Sequence, residues 1–367
     1  MQIDHQMLPD LSYGAAFLGS GGGGDPYYSY LLAKAAIQRC GHFDLIDLNT
    51  LEDDAFVVPC GWIGAPTVSV EKLPNGGEPV AGLRRLEKEV GRKIDAVLPI
   101  EIGGGNGLAP FLAAAALDVP VVDCDGMGRA FPESQMTIFN IHGLSACPSV
   151  VTAACGSLAV LETVDNLKHE QMARGVSVAL GGIAHMVEYP LTGRQAKESA
   201  IPGSISTAIS LGAAVRDAKA TGENPFEALA TALAQSGHYP SCHVLFDGKI
   251  VDLMRETRDG FSIGKVTVKA IQSRQQMDIE FQNENLVARS NGRVLAIVPD
   301  IITIMDSETA ETITTERLKY GQRVKVVAAA APARLRDPSA LNFVGPQAFG
   351  FKDEFEAVEI LNADPSR

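Results

Sequence analysis

Two glycine-rich runs, Gly19-Ser20-Gly21-Gly22-Gly23-Gly24 and Gly103-Gly104-Gly105-Asn106-Gly107, each stand between an apolar segment and the start of a helix. Runs of this kind let a backbone turn sharply and come close to a ligand, and they point to an α/β design whose turns gather at one sheet edge. Ahead of the first run, residues 13–18 read as a short buried strand; after it, Asp25-Pro26 opens a helix to about Gln38. Asp at N-cap with Pro at the first helical position is a strong start signal. Residues 43–48 read as the next strand. The second unit repeats the plan, with a strand over 94–102, the glycine turn, a helix over 108–117 and a strand over 120–123. Parallel pairing would bring both glycine turns and Asp123 to one edge.

The rest of the chain divides by period. A broken strand is expected over 57–70, a helix over 83–90, a longer helix over 157–172, strand and loop over 176–189, and helices over 205–219 and 226–235. Near His243 the texture changes. Residues 244–246, Asp247-Gly248 and 250–254 carry a hairpin signal, and short strands follow over 264–271, 277–282, 286–290, 294–298, 301–305 and 323–329. That spacing suits a small antiparallel barrel or sandwich. The expected organisation is a three-layer α/β domain over 1–242, a β-barrel-like domain over 243–345, and a tail over 346–367 that packs back on the α/β domain.

The formal net charge of −13 and the lack of a basic stripe exclude a nucleic-acid binder. There is no run of 18 apolar residues and no signal-peptide pattern, so a cytoplasmic protein away from membranes is expected. The six cysteines form no CxxC pair and are expected to be reduced.

Gly19-x-Gly21-x-x-Gly24, with Asp47 further on, matches the dinucleotide fingerprint. Asp25 argues against NAD, because it puts a carboxylate where a pyrophosphate would bind the positive end of the helix. The alternatives are a turn needed for geometry alone, or one that brings backbone N–H groups and Asp25 to a small polar ligand. In the second run Glu101 precedes three glycines, and Asn106 can both donate and accept. The densest segment runs from Asp123 to Glu133. Strand alternation sends Asp123 and Asp125 the same way, so they could divide acid and base roles or share a divalent metal. Arg129 could pair with one of them or hold a substrate carboxylate. The bland alternative is a structural Asp–Arg bridge at a turn. His142 and His185 read as core residues. Cys242 and His243 are neighbours on a strand and so face opposite ways. Neither a Gly-x-Ser-x-Gly elbow nor a Walker loop is present.

These segments, together with Thr192-Gly193-Arg194, Lys197-Glu198, Ile201-Pro202-Gly203-Ser204, Phe246-Asp247-Gly248-Lys249, Gln282-Asn283-Glu284, Val298-Pro299-Asp300, Gly345-Pro346 and Phe349-Gly350, resemble the S-methyl-thiohydantoin desulfurase-like family. The resemblance implies a three-layer α/β domain with a β-barrel-like partner, and hydrolysis at a thiohydantoin ring. It also implies a link with hydantoinase/oxoprolinase-type proteins. It carries over no catalytic residues, so the site is expected from the chemistry of the chain itself. Water would attack the ring with Asp123, Asp125 or Glu101 as base and another of them as acid, or with a divalent metal on Asp123 and Asp125. Gly21, Gly22, Gly23, Gly24, Asp25, Gly103, Gly104, Gly105, Asn106, Arg129, Glu133 and Arg194 would bind the substrate. A homo-oligomer is expected. The alternative function is a non-catalytic nucleotide- or metabolite-binding partner of a hydantoinase-type enzyme.

Overall fold

The computed structural model describes residues 1–69 and 71–363. Its N-terminal region is mixed α/β. A nine-stranded sheet runs in the order Gln2–Ile3, Phe43–Ile46, Val121–Val122, Ala96–Pro99, Phe56–Gly64, Ile183–Val187, Ser149–Thr152, Leu158–Leu161, with Leu191–Thr192 added beside Phe56–Gly64. The four strands from Phe43–Ile46 to Phe56–Gly64 are parallel, and the strands beyond them are antiparallel. Helices cover both faces. The helix Glu78–Val90 buries Leu83 and Leu86 in one core with Val150 and Val187. The helix Asn166–Ala179 buries Ala173 with Val151, Ala184 and Met186 on the other face. Each such Leu contributes about 2 kcal/mol by leaving water.

The C-terminal region is an antiparallel half-barrel of seven strands, in the order Arg293–Ile297, Glu284–Ser290, Gln276–Gln282, Phe261–Lys269, Cys242–Arg258, Arg323–Ala329, Ile301–Asp306. Alternation along these strands buries Val266, Val268, Ile279 and Phe281 in its own core. The two regions also share a core, in which Ile301, Met305 and Val327 join Leu8, Leu11 and Phe17. None of the described helices is long and apolar enough to cross a membrane.

Three local expectations are corrected. Residues 13–18 belong to the helix Leu8–Leu18, with Pro at its start and Asp10 in its first turn. That signal lies upstream of the apolar stretch, which is too short to show its own period. The helix crosses Ser204–Thr221 closely: a Cβ on Gly14 would lie 2.0 Å from the Ala208 carbonyl oxygen. The first glycine run therefore joins two helices rather than a strand and a helix. Within 157–172 the chain first forms the strand Leu158–Leu161, and the helix starts at Asn166, where the Asp165 side chain accepts from Lys168 N at 2.7 Å. The 244–254 hairpin is absent: Cys242–Arg258 is one strand, bent by register shifts at Val244/Phe246 and Ile250/Asp252. Gly248 is there for strand approach, since a Cβ would meet the Lys269 carbonyl oxygen at 2.4 Å.

Of the segment 57–70, Phe56–Gly64 is strand and Pro66–Ser69 a helical turn, while Val70 lies outside the described residues. In the tail, Phe349, Phe351 and Phe355 pack against the core that holds Ile138 and Phe139, and Val358 enters the half-barrel core. Residues 364–367 lie outside the described residues.

Candidate active site

The two glycine turns are stacked. Gly105 N donates to the carbonyls of Gly23 and Gly24 at 3.0 and 3.1 Å. A Cβ on Gly23 would lie 2.4 Å from the Gly103 oxygen, and one on Gly104 2.3 Å from the Gly24 oxygen. Gly22 N and Gly23 N are also engaged, with Gly19 O and Glu284. The turns thus build a wall, and glycine is required because two backbones touch. The Asp25 carboxylate caps the helix Pro26–Cys40 through Tyr27 N at 3.0 Å and pairs with Arg317.

Beside that wall lies a cavity bounded by Trp62, Glu101, Phe131, Glu133, Ser134, Glu170, Glu188 and Glu284. Glu101 comes from the turn after Ala96–Pro99, at the C-terminal edge of the parallel strands. It accepts from Asn106 Nδ2 at 2.5 Å and from Phe131 N at 2.9 Å. Glu284 comes from the half-barrel. Asn283, just before it, has a positive φ of 58° and is held by exchanging hydrogen bonds with Ser262, at 2.7 Å from its own N–H and 2.8 Å to its Oδ1. That strained turn presents Glu284 to Gly23, whose N–H reaches its Oε1 at 3.2 Å. Its Oε2 is buried with no partner among the described residues.

The two carboxyls feel each other. Burial and the charge of Glu284 push Glu101 well above the usual carboxylate range. Burial pushes Glu284 to about 8, against the pull of Arg129. With both raised, the pair stays protonated at neutral pH, and Glu284 is left able to give up a proton within reach of the cavity.

On the opposite wall Ser134 Oγ donates to Glu188 at 2.5 Å and lies 3.3 Å from His169 Nδ1, while His169 Nε2 meets Ser149 Oγ at 2.7 Å. Burial raises Glu188 to about 8 and lowers His169 to about 4, so both are neutral at pH 7. Arg174 pairs with Glu170, donates to the Pro132 carbonyl at 2.8 Å and stacks on Phe261, 4.0 Å from the ring centre.

Two family models match in succession: S-Me-THD-like, N-terminal domain, over residues 6–163, and S-Me-THD-like, C-terminal domain, over 164–358. The chain belongs to the S-Me-THD-like family. No curated protein matches it. It is similar to the crystal structure of a protein from Chromobacterium violaceum, with a TM-score of 0.81 and 23% identity over 98% of this chain and 100% of that one. That likeness is one of fold.

In this S-Me-THD-like chain the expected site residues separate into two groups. Glu101, Glu133, Asn106, Gly23 and Gly24 line the cavity, with Gly21, Gly22, Gly103, Gly104 and Gly105 in the packed turns behind them. Burial raises Glu133. Asp123, Asp125, Arg129 and Arg194 do not line it. Asp123 Oδ1 accepts from Ile205 N and Ser206 N, both at 3.0 Å, at the start of the helix Ser204–Thr221. Asp125 Oδ2 accepts from Ile102, Met127 and Gly128 N–H at 2.9, 3.1 and 2.7 Å. One oxygen of each is thus committed to amides, and among the described residues no group of three or more His, Cys, Asp or Glu is arranged to hold an ion. Arg129 is buried, donating to the carbonyls of Ala130, Pro299 and Asp300. Arg194 is exposed and pairs with Asp53 at 3.1 Å.

Glu284, Glu188, Glu170, Arg174 and Ser134 were not expected. The Gln282-Asn283-Glu284 tripeptide carried a signal in the family resemblance, but nothing near it in sequence ties it to Glu101.

Proposed function

We propose that this protein hydrolyses the C2–sulfur bond of a small thiohydantoin-type ring, leaving a hydantoin. The observation that carries this reading is the Glu101–Glu284 pair, two buried, interacting carboxyls on one cavity wall, with Glu284 Oε2 uncommitted. Water attacks C2 and forms the C–O bond while protonated Glu284 gives its proton to the departing sulfur and the C2–S bond breaks. The proton of the attacking water then passes to the Glu284 carboxylate and restores the acid. For an S-methyl ring the sum is S-methyl-thiohydantoin plus water giving hydantoin plus methanethiol, with no redox partner required. Glu284 is the member that exchanges protons with the reacting atoms, because both oxygens of Glu101 already accept N–H groups. The mostly acidic wall favours a neutral ring over an anion. In water enriched in ¹⁸O, the purified protein should release thiol and place the label in the C2 carbonyl of the hydantoin. Absence of thiol release from S-methyl-thiohydantoins would overturn the reading.

A further inference from the structure

A second cavity opens beside the first, and Gly23, Gly24, Trp62, Ser69 and Ile183 belong to both walls. Its remaining lining joins apolar groups such as Tyr28, Leu73, Pro74 and Ala154 to the polar Asp25, Ser29 and Lys72, and Asp25 is already paired with Arg317. Behind it runs a row of polar side chains fixed by strand register. Trp62 pairs with His185, and His185 with Thr152, across three neighbouring strands. Residues in register lie on one sheet face. Trp62 and His185 meet edge to face, with ring centres 5.1 Å apart. The helix Glu78–Val90 closes that face. A Cβ on its Gly82 would stand 3.1 Å from Thr152 Oγ1, and its first residue, Glu78, reaches the cavity wall.

Five polar atoms here find no partner among the described residues: Trp62 Nε1, both ring nitrogens of His185, Thr152 Oγ1 and Glu78 Oε2. Glu78, Thr152 and His185 are buried, at 2%, 1% and 0% exposure. Proteins seldom bury such groups unpaired, and less often in one row. Glu78, Thr152 and Trp62 line the cavity directly.

We propose that this cavity is a side-arm subsite of the same active site, taking a ring substituent that ends in a neutral group able both to donate and to accept, of the carboxamide type. The proposal rests on the ring reading above. The donor and acceptor inventory selects the arm. Trp62 offers only N–H, the Glu78 carboxylate only acceptor oxygens, and Thr152 either role. A carboxamide answers all three. A carboxylate arm would satisfy Trp62 but meet the Glu78 carboxylate, and Lys72 is already donating to the Leu180 and Ile183 carbonyls at 2.5 and 3.3 Å. An ammonium arm would satisfy Glu78 but leave Trp62 N–H unanswered. Burial lowers His185 to about 3, so it brings no positive charge to the row.

The test is calorimetric and needs no turnover. The full chain is titrated with hydantoins carrying a propionamide, a propionate or a butyl arm on the ring. The propionamide should bind about tenfold tighter than either of the others. Glu78→Gln and the near-isosteric Thr152→Val should each cut that advantage to about twofold and leave butyl binding unchanged. Equal affinities for the three arms in the natural chain, failure of all three to bind, or a preference that survives both variants overturns the subsite. Arm preference without any thiol release supports the subsite and sinks desulfurisation; thiol release without arm preference does the reverse.

Discussion

Two pairs of carboxyls sit within this molecule and meet opposite fates. Asp123 and Asp125 lie one residue apart at a strand end, and one oxygen of each is held by backbone N–H groups, five bonds in all. Glu101 and Glu284 lie far apart in sequence, are buried together and accept three. An acid whose oxygen gathers several backbone amides away from any cavity is a structural clamp. An acid left short of donors beside a like charge is held ready to exchange a proton. Burial does not separate the pairs, since Asp125 is as buried as Glu284 and each keeps one oxygen without a partner among the described residues; only Glu101 and Glu284 line the cavity.

The largest effect that would break this contrast belongs to Glu284. Glu284→Gln should lower thiol release about 1,000-fold or more, followed with a thiol-reactive dye, without lowering the melting temperature, because it removes a buried repulsion. A variant retaining a tenth of the activity would place the chemistry elsewhere. Asp125→Ala should act on the other axis. It strands three buried amides and should cost about 3 kcal/mol or more in denaturant unfolding, while the protein that remains folded keeps kcat within about threefold.

A third effect concerns pH. Glu284 and Glu188 titrate near 8 in the folded chain, against about 4.5 for an unburied glutamate. Between those values the unfolded chain has released protons that the folded chain still holds. Their contribution is therefore fully present below about pH 4.5 and is lost as pH rises through 8. The melting temperature should fall from pH 5 to pH 8, and the Glu284→Gln/Glu188→Gln double variant should flatten that slope. A slope unchanged in the double variant would mean that these two acids titrate normally. The smallest effect sharpens the contrast. Asp123→Ala removes a helix-start acceptor and should cost about 1 kcal/mol with turnover unaffected, read from parallel melts and rate assays.

What was legible in the sequence follows the range of the interactions. Asp25-Pro26 gave the helix Pro26–Cys40 because capping is local, and most half-barrel strands were visible in their alternation. Two signals misled because they were too short. The 13–18 stretch has no resolvable period, and Asp247-Gly248 imitates a hairpin turn where the chain continues as one bent strand. At the site, Glu101, Asn106 and Glu133 could be found from their own neighbourhood. Glu284 could not, since its meaning comes from Gly23 and Glu101, which reach it only through the packing of the half-barrel on the helix Leu8–Leu18. The Asp123 to Glu133 segment was rich in charge for a different reason. Its acids and its arginine gather amides and carbonyls that fix the loop carrying Phe131 and Ser134 into the cavity.

The Glu284–Gly23 bond has a consequence in time as well as in space. On a growing chain, Glu101 is made long before residue 284, so the like group that faces it arrives only with the half-barrel. The titration of Glu101 therefore carries a contribution from a residue made far downstream, and that one carboxyl reports whether the two regions of the molecule have come together.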